Sequence, residues 1–280
     1  MNIAVIGLGL IGGSFCKTIK RYTKHLCMGY DLYPEVTEQA LKEGAIDRDI
    51  SPQELQQADF IIVSLHPTQT VSFLQEHAKY IAPGTIVIDT CGVKESILDG
   101  VEAHLCEHRI KFVGCHPMAG REFSGFSYAL DNLFDHASFI ITPTAQTDPV
   151  AVEQVQAFAQ ELHFAKVVLS TPDEHDRVIA FTSQLAHVVS NAYVKSPVLG
   201  YQSGFSAGSF LDLTRVAKLN ESMWTELFLM NRPSLLIELE NLIRHLNEYQ
   251  QALEQNDRER LKTLLRDGRI LKEESLKRDQ

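Results

Sequence analysis

Over the first two thirds of the chain, short runs of consecutive apolar residues alternate with stretches whose apolar positions recur at helical spacing. NIAVI (2–6), LCMGYD (26–31), DFIIVSL (59–65), TIVIDT (85–90) and KFVGC (111–115) read as strands; SFIIT (138–142) and KVVLS (166–170) flank a helical segment at 149–161. Strand–helix alternation of this kind predicts βαβ units and a parallel sheet covered on both faces. After Pro172 the pattern holds no further strand. Residues 173–195 read as one helix with Val178, Phe181, Leu185, Val188 and Val189 on one face, leaving Asp176, Ser183, His187 and Asn191 on a polar face where Asp176 is expected to meet solvent. A longer helix is expected over 222–255, where Leu235, Leu239, Leu242, Leu246, Tyr249 and Leu253 form a heptad seam. Such a seam wants a partner helix, from the same chain or from a second copy. The charged tail 256–280 reads as a solvated helix.

The chain is 280 residues long, which allows one large domain or two modest ones, and the change of pattern divides it into 1–170 and 171–280. With 44% apolar and 22% charged residues the composition is that of a globular protein. The net charge of −10 argues against nucleic acid as a partner. No apolar run approaches the roughly 20 residues of a membrane span. Five cysteines stand singly with no CxxC, so neither a metal site nor a disulfide framework is expected. The first strand follows Met1 directly, so the expectation is a cytoplasmic protein without a signal peptide.

Gly7-Leu8-Gly9-Leu10-Ile11-Gly12 lies between the first strand and an apolar helical stretch, the context in which GxGxxG binds a dinucleotide. The first glycine makes the tight turn, the second admits a pyrophosphate close to the backbone, and the third lets helix and strand pack. The helix N-terminus presents free N–H groups to the phosphates. Asp31 ends the second strand, 19 residues after Gly12, placed to accept hydrogen bonds from the ribose hydroxyls. Leu32, Tyr33 and Pro34 follow it, with no basic residue to meet a 2′-phosphate, so NAD is expected rather than NADP. Leu65, His66 and Thr70, at and beyond the end of the 59–65 strand, are expected to line the same cofactor site.

Two histidines at strand ends precede proline, His66 in SLHP and His116 in GCHPMAG, and spacing alone does not rank them. The run Val113-Gly114-Cys115-His116-Pro117-Met118-Ala119-Gly120, continuing Arg121-Glu122-Phe123-Ser124-Gly125, resembles the central motif of prephenate and arogenate dehydrogenases. Asp89-Thr90-Cys91-Gly92-Val93-Lys94 resembles that family's D-x-x-S-V-K, and Asp212-Leu213-Thr214-Arg215-Val216-Ala217 with Met223-Trp224 resembles its D-x-T-R-[IV]-A…MW segment.

The resemblance implies a Rossmann-type dinucleotide-binding domain followed by an all-α dimerisation and substrate domain, in a homodimer without a fused mutase or regulatory extension. It implies NAD-dependent oxidative decarboxylation of prephenate or arogenate, with His116 as catalytic base, and His187, Arg215 and Gly92 at the substrate, Arg215 gripping a carboxylate. Imidazole suits the first role because its ordinary pKa lies near neutrality, and guanidinium the last because its planar fork binds carboxylates bidentately. The chain departs from the family pattern at Gly92, where a serine is usual, at Arg121, where relatives carry a small residue, and at His66. The alternatives are a β-hydroxyacid-type dehydrogenase of the same plan and a non-catalytic dinucleotide-sensing dimer.

Overall fold

In the computed structural model, which describes residues 1–121 and 123–278, the chain divides into two compact units, Met1–Arg232 and Pro233–Gln280. Glu122 of the central motif lies outside the described residues. Eight strands form one sheet: β1 (Asn2–Ile6), β2 (Leu26–Tyr30), β3 (Arg48–Asp49), β4 (Phe60–Val63), β5 (Ile86–Asp89), β6 (Lys111–Pro117), β7 (Ser138–Thr142) and β8 (Lys166–Leu169). Their order is β3-β2-β1-β4-β5-β6-β7-β8, the doubly wound arrangement with its switch point between β1 and β4. All expected strands form; β3, two residues long, carries no sequence signal.

The sheet is not parallel throughout. β6 and β7 pair antiparallel, with His116 opposite Ile140, and β8 runs parallel to β7. An antiparallel neighbour needs no crossover helix, so the long connection after β6 returns the chain directly, whereas β7 reaches β8 through α5.

The first five helices are α1 (Leu10–Tyr22), α2 (Pro34–Lys42), α3 (Pro67–His77), α4 (Glu95–Glu107) and α5 (Pro149–Glu161). Successive side chains of a strand point to opposite faces, and both faces are covered. Ile3 and Val5 of β1 join Phe15 and Ile19 of α1 and Phe158 of α5 in one apolar layer. Ala4 and Ile6 join Phe73 and Leu74 of α3 and Ile97, Leu98 and Val101 of α4 in the other.

Among the described residues no strand follows β8. The helices are α6 (Pro172–Ile179), α7 (Ala186–Tyr193), α8 (Gly208–Thr214), α9 (Glu221–Met230), α10 (Arg232–Glu254) and α11 (Arg258–Arg278). Two expectations change here. The single helix over 173–195 is interrupted by a π-helical segment, Ala180–Leu185. The extra residue per turn rotates the following face, so a stripe drawn at 3.6-residue spacing does not stay on one side. Val178, just before the segment, and Phe181 within it are both exposed, while Asp176, expected in solvent, is buried at 2% exposure because the start of α4 packs its backbone N–H groups against it. The helix expected over 222–255 is two helices that break at Asn231. Within α10, Leu235 of the heptad seam is buried and Leu246 and Leu253 are exposed.

Candidate active site

The glycine turn follows β1. Gly7 has a φ of +84°, and a Cβ there would lie 2.6 Å from the Ser64 carbonyl oxygen and 2.7 Å from the Leu65 side chain. A Cβ on Gly12 would lie 1.9 Å from the Gly7 carbonyl oxygen, so both glycines are demanded by the turn's own packing. Gly9 differs: its φ is −70°, and nothing lies within 4 Å of a Cβ placed on it. The space above Gly9 is open, so the turn's own packing does not demand glycine there, and the room it leaves would let a ligand come close to the backbone. Gly9 caps α1 without a side chain, no acidic residue stands in the first turn formed by Leu10, Ile11 and their neighbours, and the helix end therefore favours an anion. Asp31 is held at both carboxylate oxygens, by Leu8 N–H at 2.8 Å and Tyr33 N–H at 3.0 Å, which orients it beside the turn. These residues fit a dinucleotide: the helix N-terminus would hold the pyrophosphate and Asp31 the ribose.

At the end of β4, His66 is exposed and caps α3, whose N-terminus is tied to α9 by Thr68 N–H donating to Glu226 at 2.5 Å. Thr70 is buried, its hydroxyl 3.3 Å from the Leu65 carbonyl oxygen and 3.4 Å from Cys91 Sγ.

His116, near the end of β6, is half-buried, and its Nδ1 lies 2.9 Å from Nε2 of His175 on α6. His175 Nδ1 lies 2.7 Å from Asp176 Oδ1. Both carboxylate oxygens of Asp176 also accept backbone N–H bonds, from Lys94 at 2.8 Å and Glu95 at 3.0 Å, so the start of α4 anchors the acid. Asn231 donates to the Asp176 carbonyl at 2.8 Å and to Gln184 Oε1 at 2.9 Å, tying the break before α10 to the irregular helix.

Below His116 lies a buried ion pair. The fully buried Lys94 ammonium donates to the Asp89 carboxylate and, at 2.6 Å, to the Cys115 carbonyl. Asp89 accepts from Cys91 N–H and Cys115 N–H, each at 3.0 Å. The pair therefore locks the loop carrying Gly92 to the residue preceding His116.

The surroundings set the proton affinities. Burial above all, with the nearby Lys94 ammonium, holds His116 well below the ordinary imidazole value of 6.5. Burial also lowers His175, against its bond to Asp176. Burial pushes the Cys91 thiol up to about 12, which leaves it a poor nucleophile. With its pKa depressed, His116 stays neutral and basic as pH falls through 6.5, so the acid limb of kcat/KM is expected below that value. The same depression makes the unfolded chain bind more protons, so folding stability should decline as pH drops below 6.5. A pH–rate profile with an acid limb at or above 6.5 would contradict the assignment.

Gly92 stands beside the imidazole: a Cβ placed on it would lie 3.8 Å from His116 Nε2 and 3.7 Å from Leu227 Cδ2 of α9. Those are ordinary contact distances, and Gly92 is not among the positive-φ glycines. Gly92→Ser is thus expected to fold with stability changed by less than about 1 kcal/mol and to retain turnover. Thermal melts and steady-state kinetics would check this, and an unfolded variant would refute it.

One turn before Leu227, Trp224 of α9 stacks on His187 of α7, with ring centroids 3.7 Å apart. His187 Nδ1 donates to the Ser183 carbonyl at 2.9 Å, which leaves Nε2 as an acceptor. Burial first, and then the nearby Arg215 charge, lower its proton affinity. Arg215 itself is exposed at the end of α8. α9 thus lies beside Gly92 through Leu227 and against His187 through Trp224. The residues missed by sequence reasoning are Asp89, Lys94, His175, Asp176 and Asn231. The first two were visible as motif positions without a role; the others take their roles from partners 55 to 82 positions away, which helical periodicity does not carry.

A doubly wound sheet with a glycine turn, an acid at the end of β2 and a histidine near the end of β6 is the arrangement of a dinucleotide-dependent oxidoreductase. Residues 15–175 match the family model "Prephenate dehydrogenase, nucleotide-binding domain", and residues 171–267 match "Prephenate dehydrogenase, dimerization domain". The chain belongs to the prephenate dehydrogenase family. It is 32% identical over 93% of its length to prephenate dehydrogenase of Bacillus subtilis, covering 72% of that protein. Its fold is similar to that of prephenate dehydrogenase from A. aeolicus in complex with hydroxyphenyl propionate and NAD+ (TM-score 0.88, 29% identity, 98% of each chain). Synechocystis arogenate dehydrogenase is also similar (TM-score 0.82, 27% identity, 98% of this chain and 100% of that one).

Proposed function

We propose that this chain is an NAD-dependent dehydrogenase that oxidatively decarboxylates prephenate to 4-hydroxyphenylpyruvate, or arogenate to tyrosine. The observation that carries the reading is His116 near the end of β6, held at Nδ1 by His175, in a chain whose relatives carry those names. Residues 1–170 would form the dinucleotide-binding domain and 171–280 the helical domain.

NAD, when bound, supplies the hydride acceptor. His116 Nε2 takes the proton of the ring hydroxyl as hydride leaves the same carbon, which gives a dienone carbonyl. The bond to the ring carboxylate then breaks, its electron pair makes the ring aromatic, carbon dioxide departs, and His116 returns the proton to the phenolic oxygen. Aromatisation drives the second half, so the protein's contribution is orientation and one proton site. Arg215 would hold a substrate carboxylate, and His187, braced on Trp224, would present Nε2 to the substrate. Stoichiometric NADH and carbon dioxide from either substrate is the test; no NADH from both would refute the reading.

If Arg215 grips the carboxylate equally in ground and transition states, Arg215→Ala should raise KM by roughly ten-fold or more and leave kcat within a few-fold. A loss confined to kcat would remove Arg215 from that role.

The protein is a homodimer, and the helical part accounts for it: Val198, Tyr201, Phe205, Leu211 and Leu229 are all strongly exposed in the single chain. Among the described residues no helix is long and apolar enough to cross a membrane. We place the enzyme in the cytoplasm, consistent with its five free cysteines.

A further inference from the structure

The chain of contacts behind His116 has a direction. Asp176 is buried, and its carboxylate oxygens accept two backbone N–H bonds, so toward His175 it acts as an acceptor. His175 Nδ1 must therefore carry the proton of the 2.7 Å bond. A neutral imidazole has one N–H, so His175 Nε2 is left as a lone pair facing His116 Nδ1 at 2.9 Å. His116 can complete that bond only by donating from Nδ1. Its one proton is then on the inner nitrogen, and the outer Nε2 is bare.

On the outer side nothing competes. Gly92 offers no side chain, and Nε2 makes no hydrogen bond to a described residue. In a relative with serine at this place, a hydroxyl would help to hold the ring from the substrate side; here, among the described residues, the ring's hydrogen bond is the inner one to His175. We propose that His175, oriented by Asp176, is the positioning residue that fixes His116 as the Nδ1–H tautomer and so leaves Nε2 ready to accept the substrate's proton. This rests on the reading of His116 as the base.

Two variants and one spectrum test it. His175→Leu removes the acceptor, whereas in His175→Gln the side-chain carbonyl oxygen can still accept from His116 Nδ1. With its tautomer unfixed, His175→Leu is expected to lose roughly 10²-fold in kcat, with KM and NAD affinity within about three-fold of wild type. His175→Gln should stay within about ten-fold of wild-type kcat. Nitrogen-15 spectra of histidine-labelled protein, with the His116 signals assigned by their absence from His116→Asn, should show an Nδ1 proton in the wild type and in His175→Gln. In His175→Leu that signal should be replaced by a tautomer mixture.

A wild-type His116 protonated at Nε2 would overturn the proposal, as would equal kcat losses in both variants or near wild-type kcat in His175→Leu. The spectrum needs no substrate. A protein that fails to oxidise either substrate but shows the Nδ1 proton would lose the proposed function and keep the tautomer assignment.

Discussion

His116→Asn is expected to fold like the wild type, bind NAD and substrate with little change, and lose roughly 10²–10⁴ in kcat. The asymmetry of the contacts around the ring is the reason. On the inner side, the amide nitrogen of asparagine can take the place of Nδ1 and donate to His175 Nε2, a contact of 2.9 Å in the wild type. The buried His175 and Asp176 then keep their partners, and no orphaned polar group destabilises the fold. On the outer side, asparagine has nothing at the Nε2 position and no basic nitrogen at all. Proton acceptance would fall to solvent, while hydride acceptor and substrate remain aligned. Steady-state kinetics with melting temperatures alongside decide the matter. A variant with near wild-type kcat would mean that the base lies elsewhere; one with a much lower melting temperature would mean that the ring is structural.

The sheet was legible because its strands are short unbroken apolar runs, and a strand buried on both faces leaves that mark whatever packs on it. The glycine turn was legible for a similar reason: Gly7 and Gly12 are dictated by contacts within one strand–turn–helix unit. His116 could be located from its motif but not understood from it, since its partner His175 stands 59 positions away on another element. The helical region was less legible. Periodicity assumes 3.6 residues per turn, and the π segment Ala180–Leu185 breaks that assumption between His175, which supports His116, and His187. The same pattern placed Asp176 in solvent, because it falls on the face opposite the apolar stripe. Here Asp176 instead accepts two backbone N–H bonds from the start of α4, a role that long-range geometry alone reveals. The antiparallel β7 was hidden too, since strand direction leaves no trace in a five-residue apolar run.

Lys94→Met should be the most destabilising single change near the site, by about 3–5 kcal/mol, since it removes one partner of a buried ion pair. Methionine matches the length of the lysine stem, so the loss is electrostatic and little cavity is left. Asp89 and Lys94 side chains have no exposure at all, so water cannot replace the ammonium. The Asp89 carboxylate would keep its bonds from Cys91 N–H and Cys115 N–H but lose its countercharge, and the Cys115 carbonyl would lose a donor at 2.6 Å. Two neutral hydrogen bonds do not offset a buried charge, whereas the ammonium contributes both a countercharge and two bonds. The consequence extends to catalysis, because the pair joins the Gly92 loop to the strand residue before His116. Lys94→Met should therefore also slow turnover in whatever fraction remains folded. Urea unfolding of the NAD-free protein measures the first effect directly, without the stabilisation a bound ligand adds. A loss below about 1 kcal/mol would show that water or a rearranged side chain reaches Asp89, and that the pair is not what holds His116 in place.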